Sequence, residues 1–275
     1  MNKESRINEA ITRESADLWD RKAEFWDDHV GPQGNTFHRE LVEPSQLRLL
    51  QLQPGETALD IACGNGQFTR TMAKLVDKAV ACDISQKFIA RAQAHTQRAG
   101  LTNIEYHVAD ATAEAALTAF GGPFDAVVCT MAIMDIPVID PMLRAIRALL
   151  NPQGRFVFSV MHPAFNSNGA NMVEEQADRD GELVVIHSMK VTSYLDVPVQ
   201  KGVGIRGEPV PHYYFHRPLH RLLGACFDAG LVMDAIEEPA FSSPGEERKA
   251  FDWRNMPQIP PVLVVRLRTG AYYTR

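Results

Sequence analysis

No two cysteines form a CxxC pair; the four stand far apart, at 63, 82, 129 and 226. That spacing argues against a zinc site or a disulfide framework and for reduced thiols, with Cys63 and Cys129 packing beside a pocket rather than acting as nucleophiles. No basic run stands out, and 28 basic against 34 acidic residues leave a net charge of −6. An electrostatic grip on nucleic acid is therefore disfavoured. No apolar run reaches the ~18–20 residues of a membrane span. The opening stretch, "MNKESRINEAITRESADLWDRKAEFWDDH", is polar and acidic, unlike a signal or transit peptide, so the expected location is the cytoplasm. Internal repeats and low-complexity segments are absent as well.

What is present is ordinary globular composition: 275 residues, 45% hydrophobic and 23% charged, enough for one large domain with an appended cap. Residues 1–54 read as a helical cap, with Trp19, Ala23 and Trp26 on one face and Lys22, Glu24 and Asp27 elsewhere. Residues 55–162 alternate. "TALDIA", "KAVACD", "NIEYHVAD", "FDAVVCT" and "RFVFSVMH" read as strands. "QFTRTMAKLV", "QKFIARAQAHTQRA" and "MLRAIRALL" read as helices, the second capped by Ser85 and ended by Gly100, the third opened by Asp140 as N-cap with Pro141 behind it. Strands alternating with helices imply an α/β fold with a doubly wound parallel sheet. Residues 163–217 break the rhythm and read as an insertion over the C-terminal edge of the sheet, with "ELVVIHSMKVTSYL" as a strand. Residues 218–275 resume with a helix and two strands.

In an open α/β sheet, ligands bind beyond the carboxyl ends of the strands. "LDIACGNGQF" puts Gly64 and Gly66 there, where missing side chains permit a sharp turn and close backbone approach. A dinucleotide turn would carry a third glycine, and here that position is Thr69. Asp60, at the end of the same strand, would repel a pyrophosphate and attract a cationic amino group. The following helix N-terminus suits a carboxylate. The ligand head should therefore resemble an amino acid. Asp83 ends the second strand and suits two ribose hydroxyls, and Ile84 beside it suits a flat base. Asp110, followed by small Ala111, suits an exocyclic amino group of adenine. Amino acid, ribose and adenine in that order describe S-adenosylmethionine. Asp125, at a strand start remote from this edge, reads as structural.

These stretches, "LDIACGNGQF", "VACDIS", "VADA" and "FDAVVCTMAIMDI", resemble the successive motifs of class I S-adenosylmethionine-dependent methyltransferases over roughly residues 55–160. The resemblance implies a Rossmann-like seven-stranded sheet whose last strand is antiparallel, here with the helical cap and an α+β insertion after the fifth strand. It implies that the glycine turn, with Ala62 and Asn65, holds the methionine part, that Asp83 holds the ribose, and that Asp110 lies near adenine. Trp26 from the cap and Thr130 at the end of the fourth strand complete the expected cofactor contacts, and Trp19, Phe25, Phe37 and His38 are further lid candidates.

The acceptor is less legible. The Asn/Asp-Pro-Pro-Tyr/Phe motif of amino-group methylases is missing after the fourth strand, which reads "TMAIMD", and no Pro-Cys nucleophile exists. Asp135 and Asp140 do not match a metal-dependent pattern, so no metal is expected. An apolar pocket with aromatics points to a small organic acceptor. If a proton must be removed, the candidate groups are His162 at the end of the fifth strand, and Tyr213 and His216 in the cluster "HYYFH", which also holds His212 and Tyr214. The alternatives are a nicotinamide-dependent oxidoreductase and a non-catalytic protein that binds S-adenosylmethionine. The oligomeric state is not legible.

Overall fold

Short β-rich apolar segments and amphipathic helical ones alternate, and each buries its apolar face against the next. The computed structural model describes residues 3–242 and 250–270, with side chains from Ile7 onward. The limits set from sequence at residues 1 and 275 lie outside them. A long helix, α1 (Lys3–Val30), is followed by a π-helical turn at His38–Val42 and by α2 (Glu43–Leu50). Then come β1 (Thr57–Ile61), α3 (Gln67–Ala73), β2 (Lys78–Asp83), α4 (Gln86–Arg98), β3 (Ile104–Val108), α5 (Glu114–Thr118) and β4 (Phe124–Thr130). A 3-10 turn at Ile133–Asp135 leads to α6 (Asp140–Leu149) and β5 (Leu150–Met161).

Two antiparallel pairs follow, β6 (Ala170–Arg179) with β7 (Glu182–Val191) and β8 (Gln200–Gly202) with β9 (His212–Tyr214). The chain returns to the core through α7 (Leu219–Asp228), β10 (Leu231–Glu237) and β11 (Val262–Thr269). The seven-stranded sheet has the order β10-β11-β5-β4-β1-β2-β3, with β11 antiparallel to both of its neighbours. The doubly wound sheet with its antiparallel last strand is as expected.

Two details differ from the sequence reading. The insertion contains no helix and is built from hairpins. Polar "ANMVEEQADR" forms β6 because Asp180-Gly181, both at positive φ (57° and 85°), makes the two-residue turn that returns the chain along it. At α6 the cap position is Ile139, so Asp140 and Pro141 are the first helical residues and Asp140 makes no capping hydrogen bond. Ser85 does cap α4, its Oγ accepting from Phe88 N at 3.1 Å.

Side chains alternate across each strand. Leu59 and Ile61 of β1 join Phe156 and Phe158 of β5 in the core beneath α6 and α7. Ala58 faces the other side, with Leu50, Phe68 and Met72 from α2 and α3. Cys129 is part of the first core and not of a pocket wall, a correction to its expected place. Strand order reverses between β1, which leads to β2, and its other neighbour β4. The crevice at that reversal is where a doubly wound sheet binds its ligand.

Candidate active site

The turn after β1 is held in shape by its neighbours. Cys63 N donates to Cys82 O at 2.9 Å, and Gly64 N donates to Asp83 Oδ2 at 2.8 Å. The backbone is left-handed at Ala62 (φ 59°), Gly64 (φ 55°) and Gly66 (φ 73°). Ala62 bears a cost of about 1–2 kcal/mol for that conformation. At the end of β4, Met131 is likewise left-handed (φ 50°), its N–H donating to Ser159 O and Oγ, each at 3.0 Å. Two strained non-glycine residues thus flank the reversal point.

The two glycines do different work. A Cβ on Gly64 would meet nothing within 4 Å, so its face is open. A Cβ on Gly66 would lie 2.5 Å from Tyr106 Oη and 2.9 Å from Ala92 Cβ. Gly66 therefore seats the turn against α4 and β3 and does not line the cavity, a correction to its expected role.

Three acids stand at the ends of β1, β2 and just beyond β3. Asp60 is 1% exposed; its Oδ2 accepts from Thr69 Oγ1 at 2.6 Å and its Oδ1 has no partner. Thr69, in place of a third glycine, thus fixes the acid. Burial, and beyond it the charge of Asp83, pushes the Asp60 pKa up to about 7. Asp83 Oδ1 accepts from Ser85 N at 2.9 Å, yet burial still pushes its pKa up to about 6. Asp110 Oδ1 accepts from Thr112 N and Oγ1 at 2.7 and 2.8 Å. Trp26, Asp60, Ala62, Gly64, Asn65, Asp83, Ile84, Asp110, Ala111 and Thr130 all line one cavity of about 480 Å³, a volume suited to a small-molecule site. Asn65 is also bound to α1, its Nδ2 donating to Asp27 Oδ1 at 2.9 Å and Gly31 O at 3.1 Å.

Residues 58–154, which carry this turn and these acids, match the family model of a methyltransferase domain. That stretch carries a methyltransferase domain. A ubiquinone biosynthesis O-methyltransferase of Xanthomonas axonopodis pv. citri is 31% identical over 143 residues, 51% of this chain and 57% of that one. One of Caulobacter vibrioides is 36% identical over 149 residues, 48% of this chain and 56% of that one. The chain thus spans a little over half the length of these curated relatives. Among solved structures, an S-adenosylmethionine-dependent methyltransferase from Mesorhizobium loti shares the fold, with a TM-score of 0.59 and 23% identity over 86% of this chain and 100% of that one.

The acid–base candidates drawn from sequence do not meet in the cavity. His162 is 2% exposed, stacks on Phe165 with ring centroids 4.6 Å apart, and binds Glu238 Oε1 through Nε2 at 2.9 Å. His216 Nε2 donates to Tyr194 O at 2.6 Å. Tyr213 donates to Glu14 Oε2 at 2.7 Å on the exposed side. The reason is the strand period: β9 turns Tyr213 outward and His212 and Tyr214 inward, and these two line the cavity. Phe25 also points away and stacks on His29, whereas Trp19, Phe37 and His38 reach the cavity. His38 Nδ1 donates to Asn35 Oδ1 at 2.8 Å, and burial pulls its pKa down to about 4.

Lys22 is not on a solvated face of the cap. It is fully buried, paired with Glu208 and set 3.5 Å from the centre of the Trp19 ring. Its spacing of three and four from Trp19 and Trp26 was the available signal, since those positions share a helix face. Asp27 is also buried, at 8% exposure, against Asn65, Arg91 and His95.

Proposed function

We propose that the protein transfers the methyl group of S-adenosylmethionine to a small organic acceptor, with residues 1–54 as cap and 163–217 as acceptor lid. The observation that carries this reading is Asp60 Oδ1, a buried carboxylate oxygen without a partner on the same rim as Asp83 and Asp110. Such an atom suits an ammonium group that neutralises it. Asp60 would hold the ammonium of the cofactor, the open face of Gly64 its methionine chain, Asp83 the ribose hydroxyls, and Ile84, Asp110 and Ala111 the adenine. Bound there, S-adenosylmethionine supplies a methyl carbon already activated by the sulfonium. The chain has only to align the acceptor, exclude water and, where needed, take a proton.

The names of the curated relatives support an oxygen acceptor. Trp19, Lys22, Glu208 and His212 nevertheless lie outside residues 58–154, so the family match does not cover this part of the acceptor wall. Calorimetric titration with S-adenosylhomocysteine tests the cofactor reading. Saturable binding of that ligand and none of NADH is expected, and the reverse overturns it. Turnover is tested by mass spectrometry of a methylated product across an acceptor panel.

A further inference from the structure

We infer that His212, oriented by Glu208, is the catalytic base that takes the proton of a neutral hydroxyl acceptor, a phenol or enol, in front of Trp19 and Asp135. This rests on the methyltransferase reading of the cavity.

The tautomer follows from the donors around Glu208. Its Oε1 accepts from Lys22 Nζ at 2.7 Å and Trp26 Nε1 at 2.8 Å, and its Oε2 from Gly204 N at 2.8 Å. A side chain so surrounded by donors is an ionised acceptor. His212 Nδ1, 3.1 Å from Oε1, must therefore carry the hydrogen, which leaves the lone pair on Nε2. The ring is fixed between Trp19 and Tyr214, with centroids 4.8 and 4.4 Å away.

Nε2 lies 3.8 Å from Asp135 Oδ1, too far for a hydrogen bond, and Oδ1 has no partner. Two polar atoms without partners thus face each other on the cavity wall, and a hydroxyl placed against them satisfies both. Burial holds Asp135 well above the usual carboxylate range, which disfavours a negative charge beside an oxygen that is losing its proton.

The same wall decides the acceptor class. Trp19, Trp26, Met134 and Tyr214 line it, and no lining residue is Lys or Arg among the described residues. Lys22 is already neutralised by Glu208, and Arg217, which does not line the cavity, is engaged by the Ile133, Ile136 and Pro137 carbonyls. An anionic acceptor would stand there unpaired, whereas a neutral one is admitted. A neutral hydroxyl, unlike a carboxylate, must lose a proton to give a neutral product. The acceptor oxygen gives its proton to Nε2 and bonds the methyl carbon. The carbon–sulfur bond breaks with its electron pair on sulfur, and the imidazolium, stabilised by Glu208, later releases the proton to water. His38, the other cavity histidine, has only the neutral Asn35 amide behind it.

The groups facing His212 are Lys22 and the two indoles from α1, Asp135 from the turn after β4, and Glu208 and Tyr214 from its own segment. Burial and, less strongly, Lys22 lower its pKa against the pull of Glu208, so it is a neutral base at pH 7.

The experiment uses the full chain, S-adenosylmethionine and phenols of graded acidity, from 4-methoxyphenol to 4-nitrophenol. His212→Gln should bind S-adenosylhomocysteine within about twofold of wild type and lose about 10²–10⁴-fold in kcat on the least acidic phenol. The defect should shrink as the phenol becomes more acidic, because a more acidic hydroxyl needs less help in losing its proton. With S-adenosylmethionine kept saturating at each pH, so that protonation of Asp60 does not limit binding, the wild-type kcat should fall towards acid pH along a limb absent from the variant. An equal defect on every phenol, or the limb vanishing in His38→Gln instead, overturns the assignment. Should His212→Gln not fold, the wild-type profile still decides, and a rate without that acid limb overturns it. Intact S-adenosylhomocysteine binding with methylation of thiols or amines but of no phenol overturns the acceptor class alone. Failure of the wild type to bind S-adenosylhomocysteine overturns the underlying cofactor reading.

Discussion

Lys22 Nζ lies 2.7 Å from Glu208 Oε1, with neither side chain exposed and the two residues 186 positions apart in the chain. Burial pulls the Lys22 pKa down to about 8 against the attraction of Glu208. Burial also works against the Glu208 carboxylate, but His212, Lys22 and Trp26 outweigh it and hold its pKa at about 2. The pair pins the helical N-terminal segment to the segment between β8 and β9.

Removing one partner should therefore cost far more than removing both. Lys22→Met leaves a buried carboxylate without its counter-ion and should lower stability by about 3–5 kcal/mol. The double variant Lys22→Met with Glu208→Gln should recover part of that loss. Denaturant unfolding of the three proteins checks this; an unchanged midpoint for the single variant would show that the pair does not hold the fold together.

Asp60 and Asp83 make the stability of the protein without ligand depend on pH in an unusual direction. Their folded pKa values, about 7 and about 6, lie above the ordinary carboxylate value. Between the folded and the ordinary values these two acids bind more protons in the folded state, so their contribution to stability rises as pH falls from about 8 to about 5. His38, His162 and His212, whose folded pKa values are lowered by burial, oppose it below about 6.5. Binding of S-adenosylhomocysteine, whose ammonium needs ionised Asp60, should weaken over the same interval. Asp60→Asn should flatten the rise in melting temperature and weaken binding by about 1–3 kcal/mol. A difference in melting temperature between wild type and Asp60→Asn that stays constant from pH 8 to pH 5 would contradict this.

The two glycines of the turn should separate under substitution. Gly66→Ala forces a Cβ against Tyr106 and Ala92 at a left-handed φ. It should cost about 1–3 kcal/mol of stability through overpacking alone. Gly64→Ala meets no neighbour, so it should cost only the left-handed penalty of about 1–2 kcal/mol in stability. Because it places a methyl group on the cavity side, it should lose more binding than stability. Melting curves beside calorimetry distinguish the pair, and the opposite order would reverse their roles.

Asp27 should act as the clamp of α1 on the sheet. Burial pushes its carboxyl up, but hydrogen bonds from Asn65, Arg91 and His95 outweigh it and hold the pKa below the usual range. For an acid depressed in this way, the stabilisation is present above the unfolded pKa of about 3.9 and is lost as pH falls through the lower folded value. Asp27→Ala should cost about 1–3 kcal/mol and raise hydrogen exchange in α1 more than in β1 and β4. Equal exchange in all three would mean that the clamp is not local.

Most of the cavity rim was legible because its groups are local. An acid or a glycine at the end of a strand announces its place once the strand is recognised, as Asp60, Gly64 and Asp83 do. Where the local pattern was read one step short, neighbours explain it. Gly66 looked like a ligand contact, but Tyr106 and Ala92 from other elements occupy the space beside it. Likewise β6 was hidden by its polar composition, although Asp180-Gly181 marked the hairpin.

By itself, the sequence determined the doubly wound sheet, the position of its ligand edge and the row of acids along it, because strand period, turn chemistry and strand ends are short-range properties. Only the tertiary structure decided which histidine faces the cavity and which charges lose their water. Lys22, Asp135, Glu208 and His212 come together from the cap, the turn after β4 and the insertion. Their chemistry arises from mutual burial, which desolvates each group and fixes its proton, and no stretch of chain carries that information alone.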